Sequence, residues 1–261
     1  MIEKLRAENP IVHCITNHVV SNFQANGLLA IGASPIMGEA PEEAVELASL
    51  SGAVSLNIGT LNAGTLESML IAGKTANQLG RPVVLDPVGV GATAFRAAAA
   101  EKILREVNIA VLRCNAGELA AICGTEWRGK GVDAGSGEAD VKQLAVEAAN
   151  KLGLVVAVTG PIDFVTDGND LVEIPFGHPL MSAITGSGCL LSAMVAAFLA
   201  ISPENVLNAV AEALRFYGQA GERAGQSASE PGSFQIEFLN QLSKQSTGHS
   251  EHIPGKELQQ K

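Results

Sequence analysis

Short apolar runs alternate with longer amphipathic segments along the whole chain. The run Val83-Val84-Leu85 is typical of the short ones, since it is β-branched and has no polar residue within it. Strands of this kind are buried on both faces, and strand–helix alternation is typical of parallel sheets. The pattern therefore predicts an α/β fold in three layers, with a mostly parallel central sheet and helices on both faces.

The predicted strands occupy residues 10–16, 34–37, 53–58, 81–86, 109–113 and 154–159, with a hairpin at 163–166 and 171–174. The predicted helices occupy residues 1–8, 19–30, 39–50, 66–79, 93–107, 141–152, 190–200, 206–224 and 231–242. Residues 127–138 are Gly-rich and polar, which predicts an exposed loop. No composition break or repeat divides the chain, so we expect one domain over residues 1–261, with a polar tail from about 246.

Composition and charge narrow the function. The 261 residues are 47% hydrophobic but only 4% aromatic, so the core consists mainly of Ala, Val, Leu and Ile. A formal net charge of −10 argues against binding to nucleic acid or an anionic membrane. Four cysteines without CxxC or metal-ligand spacing predict reduced thiols in a cytoplasmic protein, and residues 1–6 do not resemble a signal peptide.

A glycine turn precedes the most apolar predicted helix. The sequence Gly186-Ser187-Gly188-Cys189 can turn sharply, and the first N–H groups of the helix then face outward with no side chain in front of them. Free N–H groups and the positive end of the helix dipole together favour an anion. The alternatives are a phosphate site and a plain turn before a core helix, since a short Gly-x-Gly motif is weak evidence.

Polar residues also follow several predicted strands. In an open α/β sheet, ligands bind at the carboxyl ends of the strands. Asp86 could instead belong to a simple turn with Pro87, but Arg113 at the end of an apolar strand needs a partner. Acids, one arginine and a glycine turn at one edge are most of what phosphoryl transfer requires, and no Walker A motif is present. The strand-end residues are Asn17, Gly59, Thr60, Asp86, Arg113, Glu118, Thr159 and Gly160.

Eight stretches in family order resemble the hydroxyethylthiazole kinase family of the ribokinase-like superfamily. They extend over nearly the whole chain and are therefore more specific than any single motif. The matching stretches are VHCITN at 12–17, ANGLLAIGASPIM at 25–37, LNIGTL at 56–61, LDPVGVGA at 85–92, RCNAGE at 113–118, VTG at 158–160, TGSGC at 185–189 and GSF at 232–234.

The resemblance implies phosphorylation of the primary hydroxyl of 4-methyl-5-(2-hydroxyethyl)thiazole in thiamine salvage, with ATP as co-substrate and Mg²⁺ as cofactor. Cys189 stands where most of the superfamily has an aspartate base, and this family is similar in having cysteine. The other roles that the resemblance implies are substrate contact for Met37, Gly186, Asn17, Gly59 and Thr60, ATP contact for Arg113 and Thr159, and metal handling for Asp86 and Glu118.

The resemblance also implies a homotrimer whose thiazole pocket lies at the subunit interface. Two positions depart from the family. Cys114 stands where glycine is more usual, and Pro161 removes a backbone donor beside Gly160. The alternatives are a kinase for another small heterocyclic alcohol, a nucleotide-dependent dehydratase on the same fold, which would be expected to carry aspartate at position 189, and a thiazole-binding protein without catalysis.

Overall fold

The computed structural model describes residues 1–125 and 138–244. Within these ranges the strands are β1 Ile11–Ile15, β2 Ser34–Ile36, β3 Ala53–Asn57, β4 Val83–Asp86, β5 Val111–Asn115, β6 Val155–Thr159, β7 Asp163–Thr166 and β8 Leu171–Ile174. They form one sheet in the order β2-β1-β3-β4-β5-β6-β7-β8. Strands β1 to β6 pair in parallel, and β7 and β8 continue the sheet as an antiparallel hairpin. The predicted mostly parallel sheet is confirmed.

Helices cover both faces of this sheet. The helices are α1 Ile2–Glu8, α2 Ser21–Ile31, α3 Ala44–Leu50, α4 Ala63–Gln78, α5 Ala94–Glu106, α6 Ala116–Cys123, α7 Glu138–Leu152, α8 Ser187–Ile201, α9 Val206–Ser227 and α10 Pro231–Ser243, with a 3₁₀ turn at Pro179–Ala183. One core is formed with α1, α2, α8, α9 and α10, and a second with α3 to α7. No helix in the described part of the chain combines the length and hydropathy needed to cross a membrane.

Strand alternation decides which face each side chain occupies. Val84 and Val111 belong to the core beneath α8, whereas Leu85 and Leu112 belong to the core of the opposite face. Successive strand residues point to opposite faces, so the register of each strand fixes the side on which its last residue lies. Cys114 is fully buried in the core opposite α8. Cysteine in place of the more usual glycine at this position therefore adds to packing on the face of the sheet opposite α8.

Two local predictions differ from the structure. Helix α3 begins at Ala44 rather than near Glu39, because turns hold the residues before it, with Ala44 N–H bonded to the carbonyl of Pro41 at 3.4 Å. Helix α6 was not predicted, since it has only eight residues and a glycine in its first turn. The predicted loop at 127–137 and the polar tail from 246 lie outside the described residues, and Glu138 begins α7.

Candidate active site

Four polar side chains lie at or near the carboxyl ends of their strands, on the face that α8 covers: Asn57, Asp86 and Thr159 are the last residues of β3, β4 and β6, and Arg113 is two residues before the end of β5. Asn57, Asp86, Arg113 and Thr159 each lie an even number of residues after a member of the core beneath α8. The carboxyl ends of parallel strands meet at one edge of the sheet, so β3, β4, β5 and β6 bring these four residues together. The N-terminus of α8, with its glycine turn, lies against the same edge.

A chain of hydrogen bonds joins the glycine turn to the sheet. Asn17 Nδ2 lies 3.5 Å from Cys189 Sγ and donates to Asn57 Oδ1 at 2.9 Å. Asn57 Nδ2 donates to Asp86 Oδ2 at 2.8 Å, and the Ser192 hydroxyl of α8 donates to the same oxygen at 2.9 Å. The two asparagines, Asp86 and Ser192 are all buried. A paired network in a low-dielectric interior favours a single arrangement, so it fixes Asp86 relative to Cys189.

Asp86 keeps one oxygen for which the described residues provide no donor. Asp86 Oδ2 accepts two hydrogen bonds, but Oδ1 accepts none, and Arg113 Nη1 lies 3.8 Å from it. Burial raises the pKa of Asp86 to about 6, although Arg113 and the hydrogen bonds from Ser192 and Asn57 act to lower it. A buried carboxylate oxygen without a donor costs stability. It is therefore suited to accept a ligand or a hydrated cation.

Arg113 lies across the first turn of α8. Its Nη2 donates to Thr159 Oγ1 at 2.5 Å, and a Cβ atom placed on Gly188 would come within 2.7 Å of its Nη1. Burial acts to lower the pKa of Arg113, but nearby negative groups, Asp86 and Glu118 foremost, leave it raised overall. The guanidinium therefore lies beside Gly188, in the first turn of α8.

The glycine turn is held on several sides. Gly186, the N-cap of α8, has φ +90°, and a Cβ atom there would lie 2.6 Å from Val20 Cγ1, so a larger residue would be strained as well as crowded. The Ser187 hydroxyl donates to the carbonyl of Met181 at 2.7 Å, and the Tyr217 hydroxyl donates to the carbonyl of Ser187 at 2.6 Å. Because the first N–H groups of a helix lack intrahelical acceptors, this fixed turn presents donors in one direction.

The thiol of Cys189 is neutral at physiological pH. Burial raises the pKa of Cys189 to about 11, and Asp86 adds to the rise, while Asn57, Arg113 and Asn17 oppose it. Burial therefore dominates at this thiol, and the neighbouring carboxylate acts in the same direction.

Glu118 supports the end of β5 and the loop after β4. It forms a capping box with Asn115: Asn115 N–H donates to Glu118 Oε2 at 3.0 Å, and Glu118 N–H donates to Asn115 Oδ1 at 2.9 Å. Glu118 Oε1 accepts the N–H of Gly89 at 2.9 Å. Asn115 is therefore the cap of α6, and Glu118 joins this helix to the loop that follows Asp86.

The loop after β3 borders the hydrogen-bonded chain. Gly59 N–H donates to Asn57 Oδ1 at 2.9 Å, and a Cβ atom on Gly59 would lie 2.7 Å from Asn17 Nδ2. Thr60 Oγ1 accepts the N–H of His18 at 3.3 Å. Backbone and side chains thus bring Gly59 and Thr60 beside Asn17, as a shared binding site would require.

Met37 stands apart from this group. It follows β2, which is the edge strand, and 37% of its surface is exposed. Strand β1 lies between β2 and the strands β3 to β6 that carry the rest of the site. Within the described part of this single chain, Met37 is the outermost of the residues predicted to contact substrate.

Several residues of the site were not singled out in the sequence. Ser192 gave a signal, since it is the only polar residue between 190 and 200. Asp163, at the start of β7, accepts the N–H of Gly160 at 2.9 Å, and burial raises its pKa to about 6. The side chains that sequence reasoning missed are Asn57, Arg96, Asp163, Ser192 and Tyr217.

Comparisons with known proteins identify relatives of the chain. Residues 2–247 match the sequence model of the hydroxyethylthiazole kinase family. The structure of the hydroxyethylthiazole kinase protein from Pyrococcus horikoshii is 42% identical, with a TM-score of 0.86, and the match covers 93% of this chain and 91% of that one.

More distant structures share the fold alone. An ADP/ATP-dependent NAD(P)H-hydrate dehydratase from Bacillus subtilis is 15% identical with a TM-score of 0.63, over 93% of this chain and 96% of that one. A pyridoxal kinase from Bacillus subtilis is 18% identical with a TM-score of 0.56, over 80% of this chain and 90% of that one. The central sheet and its helices therefore recur in proteins of several activities, which is why function has to be argued from the site.

Proposed function

The chain belongs to the hydroxyethylthiazole kinase family, and from this premise we propose that it transfers the γ-phosphoryl group of ATP to the primary hydroxyl of 4-methyl-5-(2-hydroxyethyl)thiazole, in thiamine salvage. The observation that carries the proposal is the position of Arg113 against Gly188, which joins a buried cation to the N-terminus of α8. A guanidinium and helix N–H groups directed at one place suit a transferring phosphate.

The nucleotide phosphates belong on the β5–β6 side of this site. Arg113 has a planar fork that can bind two phosphate oxygens, and Thr159 holds that fork by a hydrogen bond. The N–H groups after Gly186 complete an anion hole for the γ-phosphoryl group. Burial acts to lower the pKa of Arg113, and Asp163 is among the acidic groups that raise it.

The described residues fit Mg²⁺ in the way that ion prefers. No group of three or more His, Cys, Asp or Glu side chains within residues 1–125 and 138–244 could hold a metal by itself. Mg²⁺ keeps several waters and binds through one or two carboxylates together with substrate phosphates. Asp86 Oδ1 has no donor in the described chain, and Glu118 lies close enough to affect its charge. When bound, the ion would neutralise charge on the phosphates, and Asp86 and Glu118 would hold its hydration shell.

The acceptor alcohol belongs beside Asn17 and Cys189. Asn17 Nδ2 already points at the thiol, and Gly59 and Thr60 border the same space. The hydroxyl oxygen of the substrate attacks the γ-phosphorus. The bond between the γ-phosphorus and the oxygen that bridges it to ADP then breaks, and the hydroxyl proton leaves late in a loose transition state. A neutral thiol is suited to orient that hydroxyl and avoids adding a charge beside the phosphate.

A homotrimer with the pocket at the subunit interface accounts for Met37. Among the described strands β2 pairs only with β1, so its other edge is open, and the helix α2, which contacts β2, carries the exposed apolar Leu29. Such a patch is typical of a contact surface. A neighbouring subunit would bring its own surface to Met37 and complete the substrate side of the pocket. The exposed apolar residues on α2 and directly after β2 are Leu29 and Met37.

Two further assignments concern the domain organisation and the location of the protein. We propose that the chain acts as a single ribokinase-like domain, supported by one sheet continuous through the described residues. We also propose a cytoplasmic location, supported by four free cysteines that form no disulfide.

A coupled assay that measures ADP release tests the activity. We expect turnover with the thiazole alcohol, ATP and Mg²⁺ together, and none when any one is left out. Phosphorus NMR would identify the product as a phosphate monoester. Turnover with pyridoxal or a pyrimidine alcohol in place of the thiazole would contradict the proposed substrate, and ADP release without a phosphorylated alcohol would contradict the proposed reaction.

A further inference from the structure

Arg96 joins the two loops that carry the proposed acceptor and metal residues. It lies on the first turn of α5, outside the hydrogen-bonded chain described above. Its Nη1 donates to the carbonyls of Ile58 at 2.9 Å and Val88 at 2.6 Å, and its Nη2 donates to the carbonyl of Gly59 at 2.6 Å. One guanidinium thus bonds to the loop after β3 and to the loop after β4.

The three acceptors make this arrangement specific. Carbonyl oxygens that converge on one point repel one another unless a cation lies between them, and hydrogen bonds from a charged donor are the stronger ones. The planar fork of arginine can reach three acceptors in fixed directions, whereas lysine offers a single ammonium. No carboxylate within the described residues forms an ion pair with Arg96. Its positive charge therefore interacts with the carbonyl groups of the two loops.

The loop after β3 depends on Arg96 more than the loop after β4 does. The second loop has turns of its own, with Val90 N–H bonded to the carbonyl of Pro87 and Ala92 N–H to that of Gly89, both at 2.9 Å. Glu118 also accepts the N–H of Gly89. By contrast, the bonds that hold the loop Ile58–Thr60, apart from those of Arg96 and Asn57, are longer: Ile58 N–H to the carbonyl of Asp86 at 3.2 Å, His18 N–H to Thr60 Oγ1 at 3.3 Å and Leu61 N–H to the carbonyl of Ile58 at 3.4 Å.

The other side of the loop Ile58–Thr60 touches the site directly. Gly59 N–H donates to Asn57 Oδ1, and its α-carbon packs against Asn17, which reaches Cys189. An outward movement of this loop would loosen Asn17 and widen the space proposed for the thiazole alcohol. Arg96 bonds on the outer side and so opposes that movement.

We propose that Arg96 is a positioning residue that holds the loop Ile58–Thr60 against Asn17 and thereby sets the affinity for the acceptor alcohol. This inference rests on the proposed function, because it assigns the loop to substrate. Arg96 bonds to the carbonyls of Ile58 and Gly59, so it acts through the loop and not on the reacting atoms. The nucleotide side, around Arg113 and Thr159, has no bond to Arg96.

Steady-state kinetics of R96A and R96K test the inference. We expect R96A to raise the KM for the thiazole alcohol about tenfold and to leave the KM for ATP within about twofold, because only the acceptor loop loosens. R96K should recover part of the loss, since one ammonium can reach one or two of the carbonyls. The matched control is R105A on the same helix, where Arg105 is exposed and pairs only with Glu101 and Glu106.

The outcomes separate this inference from the proposed function. If the wild-type chain does not phosphorylate the thiazole alcohol, the proposed function fails. If the wild type is active but R96A changes neither KM, or raises both equally, the positioning role of Arg96 fails. Should R96A prove too unstable to assay, the folded R96K variant decides, because a normal KM for the alcohol in R96K would also overturn the inference.

Discussion

Arg113 Nη1 and Asp86 Oδ1 lie 3.8 Å apart at the buried ends of neighbouring strands, too far for a charge-assisted hydrogen bond. The ion pair is therefore weaker than its burial would require, and burial raises the pKa of Asp86 to about 6. The fold therefore keeps an acid at a place where its ionisation costs more than it does in water. A carboxylate of this kind is typical of a binding site rather than of a stabilising contact.

The substitution D86N should stabilise the free protein while it removes activity. Asp86 has a pKa of about 6 when folded and an ordinary value of 3.8, so its contribution to stability is present below about pH 4 and is lost as pH rises through 6. The cost above pH 6 is at most about 3 kcal/mol. Loss of the ion pair with Arg113 lowers this gain in stability. Arg113 keeps its hydrogen bond to Thr159, however, and the long ion pair contributes less than the burial of the charge costs. We therefore expect a net gain below this limit, on the order of 1 kcal/mol.

Denaturant unfolding at pH 5 and pH 8 checks this prediction. The free energy of unfolding of D86N should exceed that of the wild type at pH 8, and the difference should shrink at pH 5. The control is D170N, because Asp170 is exposed in the β7–β8 turn. A D86N variant less stable than the wild type at pH 8 would show that Asp86 stabilises the fold through Arg113.

Replacing Arg113 should separate the two substrates. The guanidinium lies on the nucleotide side, held by Thr159, so R113A should weaken ATP binding by about 2–3 kcal/mol, as expected for a lost charge-assisted contact, and change thiazole binding little. Titration calorimetry with each ligand measures the two affinities. An R113A variant with normal ATP affinity and poor thiazole affinity would reverse the assignment.

The sequence predicted the parts of the site that depend on local pattern. The apolar runs predict strands that end at Asp86, Arg113 and Thr159, and the glycines predict the turn at Gly186. The structure places these residues at one edge of the sheet. The pairing of side chains on neighbouring strands could not be predicted from the sequence in the same way. Asn57 meets Asp86 because the register of β3 and β4 sets the two side by side, and register is a property of the assembled sheet.

The charge state of Cys189 could not be predicted from its neighbours in the sequence, for a similar reason. The position of Cys189 before an apolar helix reveals neither its burial nor its closeness to Asp86, and these two raise its pKa. Both influences come from segments distant in the chain. The same holds for Arg113, whose place against Gly188 results from Asp86 beneath it.

Met37 provides a test of the proposed assembly. A carboxylate at this exposed edge would be buried without a partner in a trimer, so M37D should lower the oligomeric state and raise the KM for the thiazole alcohol. Light scattering should give three times the chain mass of 26.9 kDa for the wild type and a smaller mass for M37D. The control is L79D, because Leu79 is also an exposed apolar residue but follows α4, away from β2. A fully active wild-type monomer would contradict the shared pocket.

The last prediction separates the thiol of Cys189 from the turn that carries it. With a pKa of about 11 the thiol is neutral, so general-base help of about 10²–10⁴-fold is a ceiling for its contribution to kcat. C189S keeps a small polar group that can orient the acceptor, and we expect it to lose less than about a hundredfold in kcat. G188V should lose more, about 10²–10³-fold or beyond, because its Cβ atom would lie 2.7 Å from Arg113 Nη1 and fill the proposed anion hole. The control is G232V, since Gly232 is also the second residue of a helix and a Cβ atom there meets nothing within 4 Å. The comparison is kcat at saturating ATP for the three variants. An inactive C189S together with an active G188V would mean that the thiol performs essential chemistry and that the turn does not hold the phosphate.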